Sequence, residues 1–146
     1  MIRYIKRLGL FVKYNKNKML FLSVVILSAF YRMCMLIIPE RYLRLFMGKV
    51  NCTSKDEESE EIYRKAIQIS HAVNRVCSKT PWKSQCLVRA LTAQHLLKKY
   101  RIHSTLYLGV GNEEGKMVAH AWLRCGKYYV TGGTGEGYVR VAMFMT

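Results

Sequence analysis

The longest unbroken pattern along the chain is apolar: Met19 to Tyr31 carries no charge, Arg32 interrupts, Met33 to Ile38 resume the run, and Pro39 and Glu40 end it. The pattern predicts an apolar helix that docks on a partner, on the core or on a membrane surface. A bilayer span needs about twenty apolar residues, and this segment reaches that length only by accepting Arg32, so crossing is the weaker reading. No small-x-small cleavage site follows, which argues against a signal peptide. Tyr42, Leu43, Leu45 and Phe46 around Arg41 and Arg44 then predict a short amphipathic helix that Gly48 ends.

Asn51 to Asp56 is polar and reads as flexible. The acidic run Glu57, Glu58, Glu60 and Glu61 lies where a helix N-terminus welcomes negative charge. Ile62, Ala66, Ile69, Val73 and Val76 recur at helical spacing and carry that helix to about Cys77, with His71 on its solvated side. Pro81 keeps Thr80 out of helical conformation, so Ser78 to Gln85 is a loop. Leu87, Ala90, Leu91, Gln94 and Leu97 predict a helix from Cys86 to Lys99, in which His95 is a surface or neighbour-packed residue.

Beyond Ile102 the period changes to two. Leu106, Leu108 and Val110 alternate with Thr105, Tyr107 and Gly109, and Gly111 to Lys116 is expected to close a hairpin with a strand over Met117 to Cys125. Gly126 turns the chain into a third strand, Lys127 to Thr131; a glycine-rich connection then leads to a fourth, Tyr138 to Phe144. Helices first and consecutive antiparallel strands afterwards predict an α+β fold. The expected organisation is an apolar and basic helical segment over residues 1–50, a linker over 51–60 and one core over 61–146.

Charge narrows the partners. Lysine and arginine outnumber aspartate and glutamate 24 to 9, a formal charge of +15, which attracts acidic peptides or anionic membrane surfaces. Arg3, Lys6, Arg7, Lys13, Lys16 and Lys18 crowd the start, but elsewhere the basic residues are dispersed. With no glycine–aromatic sheet motif and no zinc-finger spacing, nucleic acid is not expected as a partner. Cys34, Cys52, Cys77, Cys86 and Cys125 are an odd set without close pairing, which favours a reducing, cytoplasmic compartment. No Cys-x-x-Cys or His-x-x-x-His spacing occurs, so neither a metal nor another cofactor is expected.

One cysteine has a setting that suits chemistry. Cys86 falls at the start of a helix, where unpaired N–H groups and the helix dipole favour negative charge on sulfur, with Lys83 and Arg89 nearby. His120, in the strand AHAWLRC, is the candidate base, sharing a strand face with Trp122 and Arg124, while Ala121, Leu123 and Cys125 point the other way. If the Cys86 helix packs on this sheet, thiol and imidazole are expected to meet, as cysteine–histidine hydrolysis requires. The backbone N–H of Cys86 is the natural oxyanion donor, assisted by Gln85, and Trp82, Gln85 and Trp122 are the candidate substrate contacts. Against this stand ordinary readings: a cysteine opening a core helix is commonly a small hydrophobe, and a strand histidine a satisfied core residue.

The stretches PWKSQCLVRALTAQHLLKKYRIHSTLYLGV and AHAWLRCGKYYVTGG resemble the transglutaminase-like cysteine peptidases that mature lasso peptides, from roughly Val73 to the C-terminus. The resemblance implies a papain/transglutaminase-like core, its nucleophile helix packed on an antiparallel sheet and preceded by apolar N-terminal helices. It makes Cys86 the nucleophile and His120 the base of a leader peptidase acting on a ribosomally made precursor, commonly after a leader whose penultimate residue is threonine. It also implies partners: the leader region of the precursor, an ATP-dependent macrocyclase and, since 146 residues leave no room for a fused leader-binding module, a separate small leader-binding protein. The family's third catalytic member, an aspartate after the histidine, has no counterpart, because the single aspartate is Asp56. Glu136 is the residue named for that role, with Thr131, Thr134 or a backbone carbonyl of the same glycine-rich stretch as alternatives. Two rival readings stand beside it: a non-catalytic, membrane-associated basic adaptor with a structural Cys86, and an acyl transferase whose thioester is captured by an amine.

Overall fold

The computed structural model describes residues 1–14 and 17–146, with the backbone alone at positions 4, 8, 11, 12 and 14. Lys16, counted above in the basic start, lies outside the described residues. Helices α1 (Ile2–Tyr14), α2 (Lys18–Ile37) and α3 (Glu40–Leu43) lead into a 3-10 turn over Arg44–Phe46. Helix α4 (Glu60–Cys77) starts where the Ser59 hydroxyl accepts from the Ile62 N–H and Glu60 and Glu61 occupy the first turn. Helix α5 (Cys86–Lys99) ends in Lys98 and Lys99, on the side of the dipole that suits cations.

Five strands, β1 (Lys49–Val50), β2 (Thr105–Glu113), β3 (Lys116–Cys125), β4 (Tyr128–Thr131) and β5 (Val139–Met145), form one antiparallel sheet in the order β1-β5-β2-β3-β4. The fold is therefore a mixed helical and antiparallel-sheet one with an apolar N-terminal helix. Two details differ from the pattern-based reading. The β2–β3 hairpin closes later than Gly111 to Lys116: both strands run on through that polar stretch, and only Glu114 (φ 52°) and Gly115 (φ 81°) turn. Two successive positive φ values are what a right-twisted two-residue hairpin requires, and Asn112 Oδ1 accepts the Gly115 N–H at 2.9 Å. Short β1, which two residues of alternation cannot announce, pairs with β5.

The core lies between the helices and one sheet face. Leu106, Ala121, Leu123, Val130 and Phe144 meet α4 and α5 there, with Ile69, Val73, Val88, Leu91 and Leu97. Burial on α5 extends well beyond one stripe, because α2 also lies on it: Val88, Ala90, Thr92, Ala93, Gln94 and Leu96 are all buried. Gln94 resolves its own burial by donating from Nε2 to the Met47 carbonyl at 3.0 Å. Between the N-terminal helices and α4 the chain is irregular but held. Ser54 bonds Thr105 through both N–H and hydroxyl, Arg124 reaches Asp56 at 3.0 Å, and Lys127 pairs with Glu57.

If α2 is a core helix along one face, its two faces respond differently to truncation. Val24→Ala, at a fully buried position, is expected to cost about 2 kcal/mol, and Ile26→Ala, at a 59% exposed one, no more than about 0.5 kcal/mol, in urea unfolding. Equal costs would contradict the docking of α2.

Candidate active site

Cys86 is the first residue of α5 and is half-buried, and the approach to it is braced from within. Thr80 Oγ1 lies 2.9 Å from Ser84 Oγ and within hydrogen-bond reach of the Cys77 and Trp82 carbonyls, while Arg89 Nε donates to the Ser84 carbonyl at 3.1 Å. Gln85 is the N-cap, exposed, and its side chain caps no N–H. The first-turn N–H groups therefore remain available beside the thiol. Trp82 is half-buried with its indole Nε1–H buried and unpartnered. Three other thiols are buried, Cys34, Cys77 and Cys125, and burial raises Cys77 and pushes Cys125 up to about 11; Cys52, like Cys86, is half-buried.

His120 occupies the middle of β3 opposite Gly109 of β2. Its ring is one of four stacked in a row: Tyr107 on Trp122 (centroids 5.6 Å apart), Trp122 on His120 (5.9 Å) and His120 on Tyr138 (4.6 Å), with interplanar angles of 20–29°. The neighbouring glycines exist for this column. A Cβ on Gly109 would lie 2.7 Å from the Trp122 ring, and one on Gly135 2.4 Å from it on a backbone with φ +72°. Gly132 (φ +78°) passes so close to β3 that a Cβ would lie 2.4 Å from the Ala121 carbonyl oxygen, and its own carbonyl reaches His120 Nε2 at 2.7 Å. A carbonyl only accepts, so Nε2 carries the proton of the neutral ring and Nδ1 is left as the acceptor.

Tyr138 ends the row. Its hydroxyl donates to Glu113 Oε1 at 2.7 Å, and its phenol is raised above the ordinary range first by that bond, with the charge of Cys86 among the lesser causes. Cys86 and His120 share no hydrogen bond among the described residues. Packing of α5 on the sheet does not by itself join them, because α5 covers the Ala121 and Leu123 face and His120 projects from the other. On the side of β3 away from β2, β4 pairs only from Leu123 to Cys125, so that edge has no strand neighbour beside His120.

The remaining candidates fall into place around this arrangement. Glu136 is exposed in the glycine-rich loop and makes no hydrogen bond to His120; the Nε2 partner is the Gly132 carbonyl, because a side chain on a loop of positive-φ glycines is held less firmly than the backbone itself. Thr134 is exposed, and Thr131 is buried with its hydroxyl unpartnered. Trp122 is 5% exposed, so it supports the imidazole from behind and offers no surface to a substrate. Asp56 is engaged by Arg124. Tyr107, Tyr138, Glu113 and Gly132 escape a sequence reading; the signal that could have found them is the coincidence of Gly109, Gly111 and Gly135 with large rings on adjoining strands. Among the described residues no three histidine, cysteine or acidic side chains converge as metal ligands would.

A helix-opening cysteine and a strand histidine on an α+β core define a class, and the comparison of families agrees. The Transglutaminase-like superfamily matches residues 38–144, and the chain belongs to it. That domain suggests activity of the cysteine protease or acyltransferase type. No curated protein and no solved structure matches the chain.

The aromatic column depends on the loop's glycines. Gly135→Ala is expected to destabilise the protein by about 1–3 kcal/mol and to shift tryptophan emission as Trp122 is displaced, both read in one urea titration. An unchanged spectrum and midpoint would show that the loop does not hold the column.

Proposed function

We propose that the protein is a cysteine peptidase that removes the leader from a ribosomally made lasso-peptide precursor, with Cys86 as nucleophile and His120 as base. The observation that carries this reading is the 2.7 Å bond from His120 Nε2 to the Gly132 carbonyl, because it sets the tautomer a general base needs and does so without the missing aspartate. Nδ1 takes the proton of Cys86 as sulfur attacks the scissile carbonyl, the two groups meeting around the β3 edge that β4 leaves uncovered. Positive charge developing on the imidazole lies between the Trp122 and Tyr138 faces, which attract it. The carbonyl oxygen, now negative, is received by the Cys86 N–H and the Gln85 side chain at the uncapped start of α5. His120 then protonates the leaving amine, which is the new N-terminus of the core peptide, and water releases the leader from sulfur.

The unpartnered Trp82 Nε1–H supports a substrate contact at the same mouth, since a buried donor gains most from an acceptor brought by the ligand. The leader itself is delivered by a separate small binding protein, and the freed amine serves an ATP-dependent macrocyclase. Work in a reducing cytoplasm suits the five free cysteines.

Intact-mass analysis of a precursor incubated with the protein tests the reading. Cys86→Ala is expected to lower leader release at least about a thousandfold and His120→Ala about a hundredfold or more, with both variants folded by circular dichroism. Release at the wild-type rate by folded Cys86→Ala excludes the mechanism, and an amine adduct in place of free leader would assign the site to acyl transfer.

A further inference from the structure

We infer that the N-terminal helices hold this protein flat on an anionic membrane surface, with α2 lying along the interface and not crossing it. Helix α2 has two faces of opposite fate. Leu20, Val24, Ser28 and Tyr31 are buried against the core, and the Tyr31 hydroxyl is 2.9 Å from His95 Nδ1 on α5. The other face presents Met19, Leu22, Ile26, Phe30, Met33 and Ile37, all 44–76% exposed, at the three- and four-residue steps that place them in one stripe. The stripe continues past the helix: the Phe30 and Phe46 rings meet edge to face at 6.5 Å, and Leu45 beside them is 79% exposed. An apolar strip this long on a water-facing helix marks a binding surface.

Helix α2 is long and apolar enough to span a bilayer, with a mean hydropathy of 2.2, but its inner face belongs to the core. A spanning orientation would tear Val24 and Ser28, both 0% exposed, out of their packing. Lying flat leaves that packing intact and immerses only the outer stripe.

Charge identifies what covers it. No aspartate or glutamate precedes Glu40, and the same stretch contains Arg3, Lys6, Arg7, Lys13, Lys18 and Arg32 among the described residues. Those on α1 are exposed, as are Ile2, Ile5 and Leu10 between them, and α1 contacts α2. Apolar side chains to immerse and unopposed cations around them match anionic headgroups over acyl chains. A second copy of this chain would instead set like charges against each other.

Flotation of the full chain with vesicles is the test. Binding is expected to phosphatidylcholine vesicles containing about 30% phosphatidylglycerol, at least about tenfold weaker to phosphatidylcholine alone, and weaker still as salt rises from about 50 to about 500 mM. Ile26→Glu/Met33→Glu, at positions 59% and 54% exposed, is expected to keep the wild-type melting curve and to lose binding to the anionic vesicles at least about tenfold. Undiminished binding by that folded variant would overturn the proposal by showing adsorption through charge alone. Failure of the wild type to bind either vesicle would also overturn it, most directly if light scattering showed a dimer that the same substitutions dissolve.

Discussion

Burial of α5 on nearly all sides is the constraint from which the rest of the architecture follows. A helix with Val88, Ala90, Leu91, Ala93, Leu96 and Leu97 buried around its circumference cannot be satisfied by a sheet alone, so α4 covers a second side and α2 a third. Each fully buried leucine contributes about 2 kcal/mol toward holding the layers together. One end of this helix is then fixed in space, and that end is Cys86. The N-terminal region is consequently part of the core along its inner side, even though its outer side is apolar and open.

The histidine is fixed by different means. Aromatic faces hold the plane of its ring and a backbone carbonyl holds one nitrogen, with glycines at the points where a side chain would collide. A carboxylate in the third position would add its charge to the orientation it provides; a carbonyl supplies orientation with only a dipole. The imidazole in this protein is therefore directed mainly by geometry. Its outer face is closed by Tyr138, whose hydroxyl is anchored by the Glu113 carboxylate at the hairpin tip and whose N–H is anchored by the Gly135 carbonyl.

Much of this is legible in the amino-acid order alone. Helix α5 begins at Cys86 and ends at Lys99 as Leu87, Ala90, Leu91, Gln94 and Leu97 indicate, since apolar recurrence and a preceding proline loop are local signals. The face assignment of His120 with Trp122 and Arg124 is equally local, being a matter of strand alternation. What alternation could not supply is which face α5 would cover, and that is decided by pairing between distant strands: β5 crosses back to lie beside β2 and leaves β3 bordered by the short β4. The partner of His120 Nε2 is only half legible, because the glycine-rich stretch draws attention to the segment while a carbonyl has no residue type to announce it. Strand β1 was missed for the same reason that two residues have no period.

The loop between β4 and β5 has a thermodynamic consequence of its own. Gly132, Gly133, Gly135 and Gly137 all hold positive φ, so this segment surrenders more chain entropy on ordering than any other of its length in the molecule. It buries little in return, lying outside the helix-covered core. Local opening there releases the carbonyl from the imidazole at a smaller free-energy cost than global melting. Heating should thus free the imidazole of His120 before the helices melt.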